Sequence, residues 1–424
     1  MVIAHECSPT QGSECAVGWN ISTRLAKYHD VTVLYASGSQ RKPHSYVESL
    51  TRYLADNGSI PGISFINVDQ PRSTKLIASI NKNFSGLGSI GLPLLYYLGY
   101  RCWQKSAFKK AKQIHASRAF DVVHQVTQVA IREPGYWWRL GIPFFWGPTG
   151  GLTSYPKKFY KILSSKAIVL EVIRKFSNFY KFSYSSRVIN ANKKAAVIYT
   201  YSNEDAALLK KRANKKIRLM LDVGTSGNYG SNGFKKSSSS FINGIWCGEF
   251  IERKAPFILL QALALSNLTK EKIRLQIIGS GPLENEMRRE CKKLGLENIE
   301  WLKNLDHAKV FELMSNADFL IHTSIREATS SVIPEALSTG LPVICHDISG
   351  MSIAVDNSCG IKIPLISPDK SIQDFHTALE QIILDENLLN ELKKGAKERS
   401  SQITWDSMAE TVADDYSESV NNGF

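Results

Sequence analysis

The sequence lacks several features that would define whole classes of protein. It has no uninterrupted apolar run of about 18 residues or more, so no membrane-spanning helix is predicted. Residues 1–4 are too few for the apolar part of a secretory signal, and polar residues follow them. The seven cysteines are scattered and form no C-x-x-C pair, which argues against a disulfide framework or a structural zinc site. These absences favour a protein of the reducing cytoplasm.

Acidic residues are scarce in the middle of the chain. Residues 101–220 contain 24 Lys or Arg and only 5 Asp or Glu, whereas the whole chain carries a net charge of +13. The remainder is therefore acidic, and such segregation of charge indicates an anionic partner. No groove-reading or base-stacking motif accompanies the basic residues, so nucleic acid is not predicted and an anionic membrane surface fits better. A solvated basic face without a partner stays open as the alternative.

Short apolar segments alternate with helical patterns along the chain. This alternation predicts an α/β fold with parallel sheets. Residues 224–240, rich in Gly and Ser, form the clearest linker by composition. We therefore predict one α/β domain over residues 1–223 and a second over residues 241–403, with a last amphipathic helix within residues 404–424.

The most informative pattern is R-E-A-T-S-S-V-I-P-E-A-L-S-T-G, at residues 326–340. It follows an apolar run that predicts a buried strand, so Glu327 falls in a loop and Glu335 in the first turn of a helix. The small residues between these glutamates let a ligand approach the backbone, and free N–H groups at a helix start can bind an anion. A ligand with phosphates flanked by hydroxylated rings, such as a nucleotide sugar, suits this pattern.

The pattern resembles the E-x7-E motif of retaining glycosyltransferases of family 4, within glycosyl transferases group 1. These enzymes have the GT-B fold, with two Rossmann-like α/β domains, a cleft between them and a terminal helix that crosses back to the first domain. The resemblance implies that Glu327 contacts the donor sugar and that Glu335 binds the ribose. It also implies donor contacts from the intervening residues Thr329, Ser330, Ser331 and Val332.

Segments of the first domain resemble a subset of this family that has a G-S-E…G-W loop after the first strand. Gly12 and Ser13 belong to that loop, where backbone N–H groups can face a phosphate. His124 ends the predicted strand D-V-V-H-Q, and the resemblance implies that it contacts the donor sugar. The alternative is a core histidine whose hydrogen bonds are satisfied internally. The later loop G-P-T-G-G is similar to a loop of the same subset.

Two further segments resemble the part of the family that binds the diphosphate and the nucleotide. In W-C-G-E-F-I-E-R-K, Gly248 and Lys254 match the family pattern, and Lys254 is predicted to stabilise the leaving phosphate. Glu249 departs from the pattern, because the family has an arginine there, and Arg253 is the candidate to compensate. The segment I-I-G-S-G-P-L-E contains Gly279 and Gly281, which suit a tight turn over which the resemblance implies that the nucleotide lies.

The resemblance implies a retaining, metal-independent hexosyltransferase. It would move a sugar from a nucleotide-diphosphate donor to a hydroxyl of a glycan or lipid-linked acceptor, in cell-envelope polysaccharide synthesis at the inner face of the membrane. No cofactor is expected besides this donor substrate, and no D-x-D motif ends a strand, so no metal site is predicted. Two alternatives stay open: a related enzyme that epimerises or hydrolyses nucleotide sugars, and a membrane- or nucleic-acid-binding scaffold with a degenerate site, which Glu249 keeps under consideration.

Overall fold

The computed structural model describes residues 1–12, 14–40, 45–84, 91–212, 216–226, 241–303 and 305–422. The chain forms two compact units. The first unit comprises Met1–Leu152, Ser177–Val223 and Trp405–Phe424, and the second comprises Thr153–Phe176 and Gly224–Thr404. The predicted first domain had included residues 153–176, which here fall within the second unit. Most of the predicted linker, residues 227–240, lies outside the described residues.

The first unit is built on a parallel sheet of seven strands among its described residues, in the order β3-β2-β1-β4-β5-β6-β7. The strands are β1 (Val2–Ile3), β2 (Val31–Ala36), β3 (Ile63–Val68), β4 (Val123–Gln125), β5 (Phe144–Thr149), β6 (Ala195–Thr200) and β7 (Lys216–Leu219). The strand order reverses between β1 and β4. Ligands of open α/β sheets bind at the carboxyl ends of strands beside such a switch point.

Seven helices lie along the described residues of this part of the chain. One of them, Ser165–Tyr184, is divided between the units: its residues up to Phe176 belong to the second unit and the rest to the first. The seven are α1 (Glu14–Leu25), α2 (Tyr46–Asn57), α3 (Arg72–Lys82), α4 (Pro93–Ser117), α5 (Ser165–Tyr184), α6 (Ser186–Lys194) and α7 (Asn203–Lys210). Local capping explains where some of them begin. Ser202, for example, accepts a hydrogen bond from the Asp205 N–H and so starts α7.

The second unit has a parallel sheet of six strands among its described residues, in the order β10-β9-β8-β11-β12-β13. The strands are β8 (Ile242–Cys247), β9 (Ile273–Ile278), β10 (Ile299–Leu302), β11 (Phe319–His322), β12 (Val343–His346) and β13 (Gly360–Ile363). Its helices are α8 (Pro256–Ala264), α9 (Asn267–Lys272), α10 (Glu284–Leu294), α11 (His307–Asn316), α12 (Val332–Ser338), α13 (Ser349–Ala354), α14 (Pro368–Leu384) and α15 (Glu386–Gln402). The central strands β11 and β12 are buried throughout, because helices cover both faces of a parallel sheet.

The last helix, α16 (Trp405–Asn421), belongs to the first unit. Its apolar face, which includes Trp405, Val412 and Tyr416, is part of the first unit's core. The fold class predicted from the sequence, two α/β units with parallel sheets, is confirmed. Helix α8 begins at Pro256, because Lys254 ends a short 3-10 turn and Ala255 is left-handed.

Candidate functional site

Three loops of the second unit meet at one edge of its sheet. They follow β8, β9 and β11, which are neighbours in the order β9-β8-β11. The carboxyl ends of parallel strands share an edge, and this is where open α/β sheets bind ligands. Most of the donor-binding residues predicted from the sequence lie on these loops or on the helix that follows the third.

The first two loops pack backbone against backbone. A Cβ on Gly279, whose φ is +143°, would lie 2.0 Å from the Gly248 carbonyl oxygen, and a Cβ on Gly281 would lie 2.7 Å from the Phe250 nitrogen. The Phe250 N–H donates to the Ser280 carbonyl over 2.9 Å. These glycines are therefore required for the loops to meet. Their contact with a nucleotide stays a prediction.

A cluster of two cations and one carboxylate joins the first loop to the third. The Lys254 Nζ lies 2.5 Å from Glu327 Oε1, and the Arg253 guanidinium donates to the same oxygen. The Ser324 hydroxyl also donates to this oxygen, over 3.0 Å. Lys254 is buried, and its Nζ lies 3.5 Å from the Ser330 hydroxyl. The site thus contains two positive charges held close to one negative charge.

The charge state of Glu327 follows from this arrangement. Burial disfavours its carboxylate, but the charges of Lys254 and Arg253 outweigh burial and lower the pKa of Glu327 to about 2. Glu327 is therefore an acceptor of hydrogen bonds at neutral pH and has no proton to donate. This character suits a residue that holds sugar hydroxyls.

The acid that replaces the expected arginine is largely exposed, at the outer side of Arg253. The Glu249 side chain is 68% exposed, and its carboxylate lies 3.8 Å from the Arg253 guanidinium. Arg253 instead pairs with Glu327 at the centre of the site. Its position is consistent with the prediction that Arg253 supplies the missing positive charge, which stays a prediction.

The third loop leads into α12, a helix of seven residues that contains Val332 and Glu335. Ser331 precedes it and makes no side-chain cap to its backbone. Thr329 packs closely against Gly350, where a Cβ would lie 1.8 Å from the threonine hydroxyl. Because α12 is short, the cations of the neighbouring loop are the main source of positive potential here.

Glu335 has a partner that sequence reasoning missed. His307, at the start of α11, places its Nε2 3.3 Å from Glu335 Oε1. Burial raises the pKa of Glu335, and His307 opposes that shift. His307 lies 28 positions before Glu335 in the sequence, and no motif links the two.

A second histidine lies beneath the cluster. His322 ends β11, is buried, and neither ring nitrogen has a hydrogen-bond partner among the described residues. Burial, aided by the charge of Lys254, lowers its pKa to about 3, so the ring is neutral. Its position at the carboxyl end of a strand was the available signal, because such residues face the ligand edge of the sheet.

Arg326 anchors the third loop to the segment Thr153–Phe176. Its guanidinium pairs with the buried carboxylate of Glu171 on α5 and lies 4.3 Å from the ring centroid of Tyr155. Both partners belong to the Thr153–Phe176 part of the second unit. This anchor was not predicted from the sequence.

The structure favours the alternative reading of His124, a core histidine whose hydrogen bonds are satisfied internally. This residue is 1% exposed, its Nδ1 lies 2.6 Å from the Tyr416 hydroxyl, and its Nε2 lies 2.7 Å from the Gly147 carbonyl oxygen. Burial lowers the pKa of His124 to about 3. Both ring nitrogens have partners within the first unit, and the side chain joins α16 to the sheet of that unit. The contact of His124 with a donor sugar stays a prediction.

The loop after β1 contains the remaining predicted residues. Gly12 is exposed with open space around its Cα, and Ser13 lies outside the described residues. The next residue, Glu14, accepts hydrogen bonds from the backbone N–H groups of Gln128 (3.0 Å) and Val129 (3.3 Å). Burial and the charge of nearby Glu6 raise the pKa of Glu14. The acid of the G-S-E motif therefore joins the loops after β1 and β4.

Metal ligands do not cluster in the part of the chain that the structure describes. No group of three or more His, Cys, Asp or Glu side chains there could hold a metal ion. The positive charge at the donor-site candidate comes instead from Lys254 and Arg253.

Comparison with known proteins bears on both fold and family. Residues 245–399 match the family described as Glycosyl transferases group 1. A D-inositol 3-phosphate glycosyltransferase of Jonesia denitrificans is 28% identical over 173 residues, which cover 39% of this chain and 40% of that protein. A Campylobacter jejuni N-acetylgalactosaminyltransferase is 27% identical over 133 residues, or 31% of this chain and 35% of that one. The chain thus matches well under half the length of these curated relatives.

Solved structures match over the full length. Sucrose-phosphate synthase from Thermosynechococcus elongatus has a TM-score of 0.62 at 16% identity and covers 100% of this chain and 99% of its own. A glycosyltransferase from Rickettsia africae has a TM-score of 0.61 at 16% identity, with 100% and 99% covered. The fold is that of GT-B glycosyltransferases. Within it, the family match falls on the second unit and includes every residue of the Lys254, Arg253 and Glu327 cluster.

Proposed function

We propose that this protein is a retaining glycosyltransferase that moves a hexose from a nucleotide-diphosphate donor to a hydroxyl of a glycan or lipid-linked acceptor. The observation that carries the proposal is the cluster of Lys254, Arg253 and Glu327. It lies at the ligand edge of the second unit's sheet, inside the segment matched to Glycosyl transferases group 1.

The cluster suits the charges of glycosyl transfer. As the bond from the anomeric carbon to the diphosphate breaks, the sugar gains positive charge and the departing phosphate gains negative charge. Lys254 and Arg253 would stabilise that phosphate, a contribution that preorganised charges make without reorganising during the reaction. Glu327, which stays ionised, would accept hydrogen bonds from the sugar and hold it in place.

The nucleotide would occupy the neighbouring part of the same edge. Glu335 would bind the ribose, with His307 orienting its carboxylate. Ser330 and the backbone near Ser331 would contact the diphosphate, and the turn that contains Gly279 would lie under the nucleotide. The proton of the acceptor hydroxyl would pass to the departing phosphate as the new bond to the anomeric carbon forms. No metal ion or other cofactor is part of this proposal.

The names of relatives support an acceptor in the cell envelope. The Campylobacter jejuni relative acts on a sugar carried by diphospho-undecaprenol, and one structural neighbour is a lipopolysaccharide outer core galactosyltransferase with a TM-score of 0.63 at 13% identity. A lipid-linked acceptor would bring the enzyme to the inner face of the cell membrane. Among the described residues, no helix is both long and apolar enough to cross a membrane. We therefore propose peripheral binding through the basic middle of the chain.

A donor panel tests the proposal directly. The purified protein is incubated with a set of nucleotide-diphosphate sugars, and the nucleoside diphosphate released is identified. Release from one donor, abolished in Lys254→Ala, is the expected result, and the anomeric configuration of the product then shows retention or inversion. Conversion of a donor to its epimer would favour the epimerase alternative, and nucleotide binding without any turnover would favour the scaffold.

Peripheral binding has its own test. The protein is mixed with phosphatidylcholine vesicles that either contain or lack phosphatidylglycerol, and flotation is measured at low and high salt. Binding should need the anionic lipid and weaken with salt, because exposed charges are screened within about 8–10 Å. Equal recovery with both kinds of vesicle would show that the basic residues form an ordinary solvated surface without a membrane partner.

A further inference from the structure

Helix α5 exposes a large apolar face to water. Val169, Val172, Ile173 and Phe176 share one face at helical spacing, and each is between 52% and 69% exposed. A helix that packs on a core in water normally buries such a face. An exposed apolar face of this size indicates that something apolar covers this side of α5.

The opposite face of α5 packs inward, where Ala167 and Ile168 contact the core of the second unit and a charged network surrounds a buried carboxylate. Glu171 is 2% exposed and accepts hydrogen bonds from the Tyr155 N–H (3.2 Å) and from the Arg174 Nη2 (2.7 Å). Arg174 in turn donates to the Thr153 carbonyl over 2.6 Å. These hydrogen bonds hold the inward face of α5 against residues 153–155.

The same carboxylate reaches the donor-site loop. Glu171 pairs with Arg326, whose neighbour in the chain is Glu327. The loop is fixed on its other side as well, because the Ile325 N–H donates to the Arg253 carbonyl over 2.9 Å. A change in the position of α5 would therefore move Arg326 and, with it, the loop that holds Glu327.

Charge identifies what covers the apolar face. The segment Thr153–Phe176 contains six Lys or Arg and a single acid, Glu171, which is buried. Five of the cations are exposed: Lys157, Lys158, Lys161, Lys166 and Lys175. A second copy of the chain would set these lysines against one another. An anionic lipid surface matches both the lysines and the apolar side chains.

We propose that α5 lies in the interface of an anionic membrane and that docking, through Glu171 and Arg326, holds the Glu327 loop in the conformation that turns over the donor. This inference rests on the proposed function. The coupling is thermodynamic, because a membrane that binds α5 in one position raises the population of molecules with α5 in that position. In water the exposed apolar face disfavours it. Glu171 is thus a positioning residue, and it does not touch the donor.

Docking is tested by flotation of the full-length protein with phosphatidylglycerol-containing vesicles. The double variant Ile173→Gln/Phe176→Gln keeps helix-forming residues on α5 while removing its apolar surface. The matched control is Leu384→Gln, which changes an equally exposed apolar residue at the end of α14. We expect the double variant to lose vesicle binding and the control to keep it. Wild-type flotation of the double variant would overturn the docking of α5.

Coupling is tested with Glu171→Gln, which keeps the shape of the side chain but removes its charge. The matched control is Glu312→Gln, which removes an exposed ion pair with Lys309 on α11. Nucleoside diphosphate release is measured with and without the anionic vesicles. Wild type and control should be stimulated several-fold, whereas Glu171→Gln should float with vesicles, bind nucleoside diphosphate normally and stay slow. A Glu171→Gln variant stimulated like wild type, or a wild type indifferent to vesicles, would overturn the coupling.

Hydrogen–deuterium exchange separates this inference from the proposed function. Peptides that cover residues 323–331 should gain protection when vesicles are added to wild type but not when they are added to Glu171→Gln. Protection without turnover of any donor would sink the transferase proposal and leave the coupling standing. Unchanged exchange in wild type would sink the coupling even if a donor were found.

Discussion

The Lys254 ammonium nitrogen lies 2.5 Å from the Glu327 carboxylate, although the two residues are 73 positions apart in the chain. The lysine follows β8 and the glutamate follows β11, which are adjacent strands. Lys254 is 6% exposed, so its charge has little water around it, and Glu327 supplies much of its stabilisation. A donor phosphate that entered the site would compete with Glu327 for this lysine and would leave the carboxylate available to the sugar.

Replacing Glu327 by glutamine should lower turnover of the donor by about 100-fold or more, since one preorganised polar contact in a transition state contributes about 3–4 kcal/mol. The affinity for the nucleoside diphosphate alone should change little. Both quantities are measured with the donor that the panel identifies. Asp374→Asn, which alters an exposed pair on α14, is the matched control. A Glu327→Gln enzyme with wild-type turnover would remove the residue from the mechanism.

Lys254→Ala should abolish activity, because the departing diphosphate loses its nearest cation. Arg253→Ala should be nearly as damaging if Arg253 replaces the arginine that this chain lacks at position 249. Steady-state rates at saturating donor check both, with Lys309→Ala as an exposed-lysine control on α11. Unchanged kinetics in Arg253→Ala would refute the compensation and leave Glu249 without an explanation.

The Glu327 carboxylate should also make stability depend on pH. Its pKa in the folded protein is about 2, below the ordinary value of 4.5, so the folded state binds this proton less readily than the unfolded chain. The resulting stabilisation, on the order of 3 kcal/mol, is complete above pH 4.5 and is lost as the pH falls towards 2.

Urea unfolding of wild type and Glu327→Gln at several pH values measures this contribution. The difference in unfolding free energy should be largest near neutral pH and should shrink between pH 4.5 and pH 2, because other acids titrate equally in both proteins. A difference that stayed constant across this range would show that Glu327 is not held ionised by Lys254 and Arg253.

His124→Gln should lower the melting temperature without changing turnover of the folded enzyme. The substitution disturbs buried hydrogen bonds to Tyr416 and Gly147, and loss of such a bond costs about 1–3 kcal/mol. Tyr416→Phe, which removes one of the two partners, should have a smaller effect of the same kind. Loss of turnover at unchanged stability would restore the sugar-binding role that the sequence suggested.

Much of the second unit could be predicted from local pattern. The apolar run before residue 326 is the buried strand Phe319–His322, as predicted, and the helix Glu284–Leu294 and the strand Ile299–Leu302 follow the alternation of helical and apolar segments. These segments are either continuously apolar or strongly amphipathic, so neighbouring residues alone specify their structure. The edge strands Lys216–Leu219 and Gly360–Ile363 carry no such signal, because they are short, only partly buried and contain lysine.

The sequence by itself determined the two α/β units and the place of the donor-site loops, because apolar runs and turn glycines record where strands end. Only the tertiary structure decided which side chains meet: Lys254 with Glu327, Arg326 with Glu171, and His124 with Tyr416. Each pair joins residues more than 70 positions apart. The sequence pattern around a histidine at a strand end is the same whether the side chain faces a ligand or a buried hydroxyl, as His124 does. The apolar face of α5 is known to be exposed only because the tertiary structure shows which side of the helix packs inward. Burial and long-range pairing are properties of the folded chain, and local pattern does not encode them.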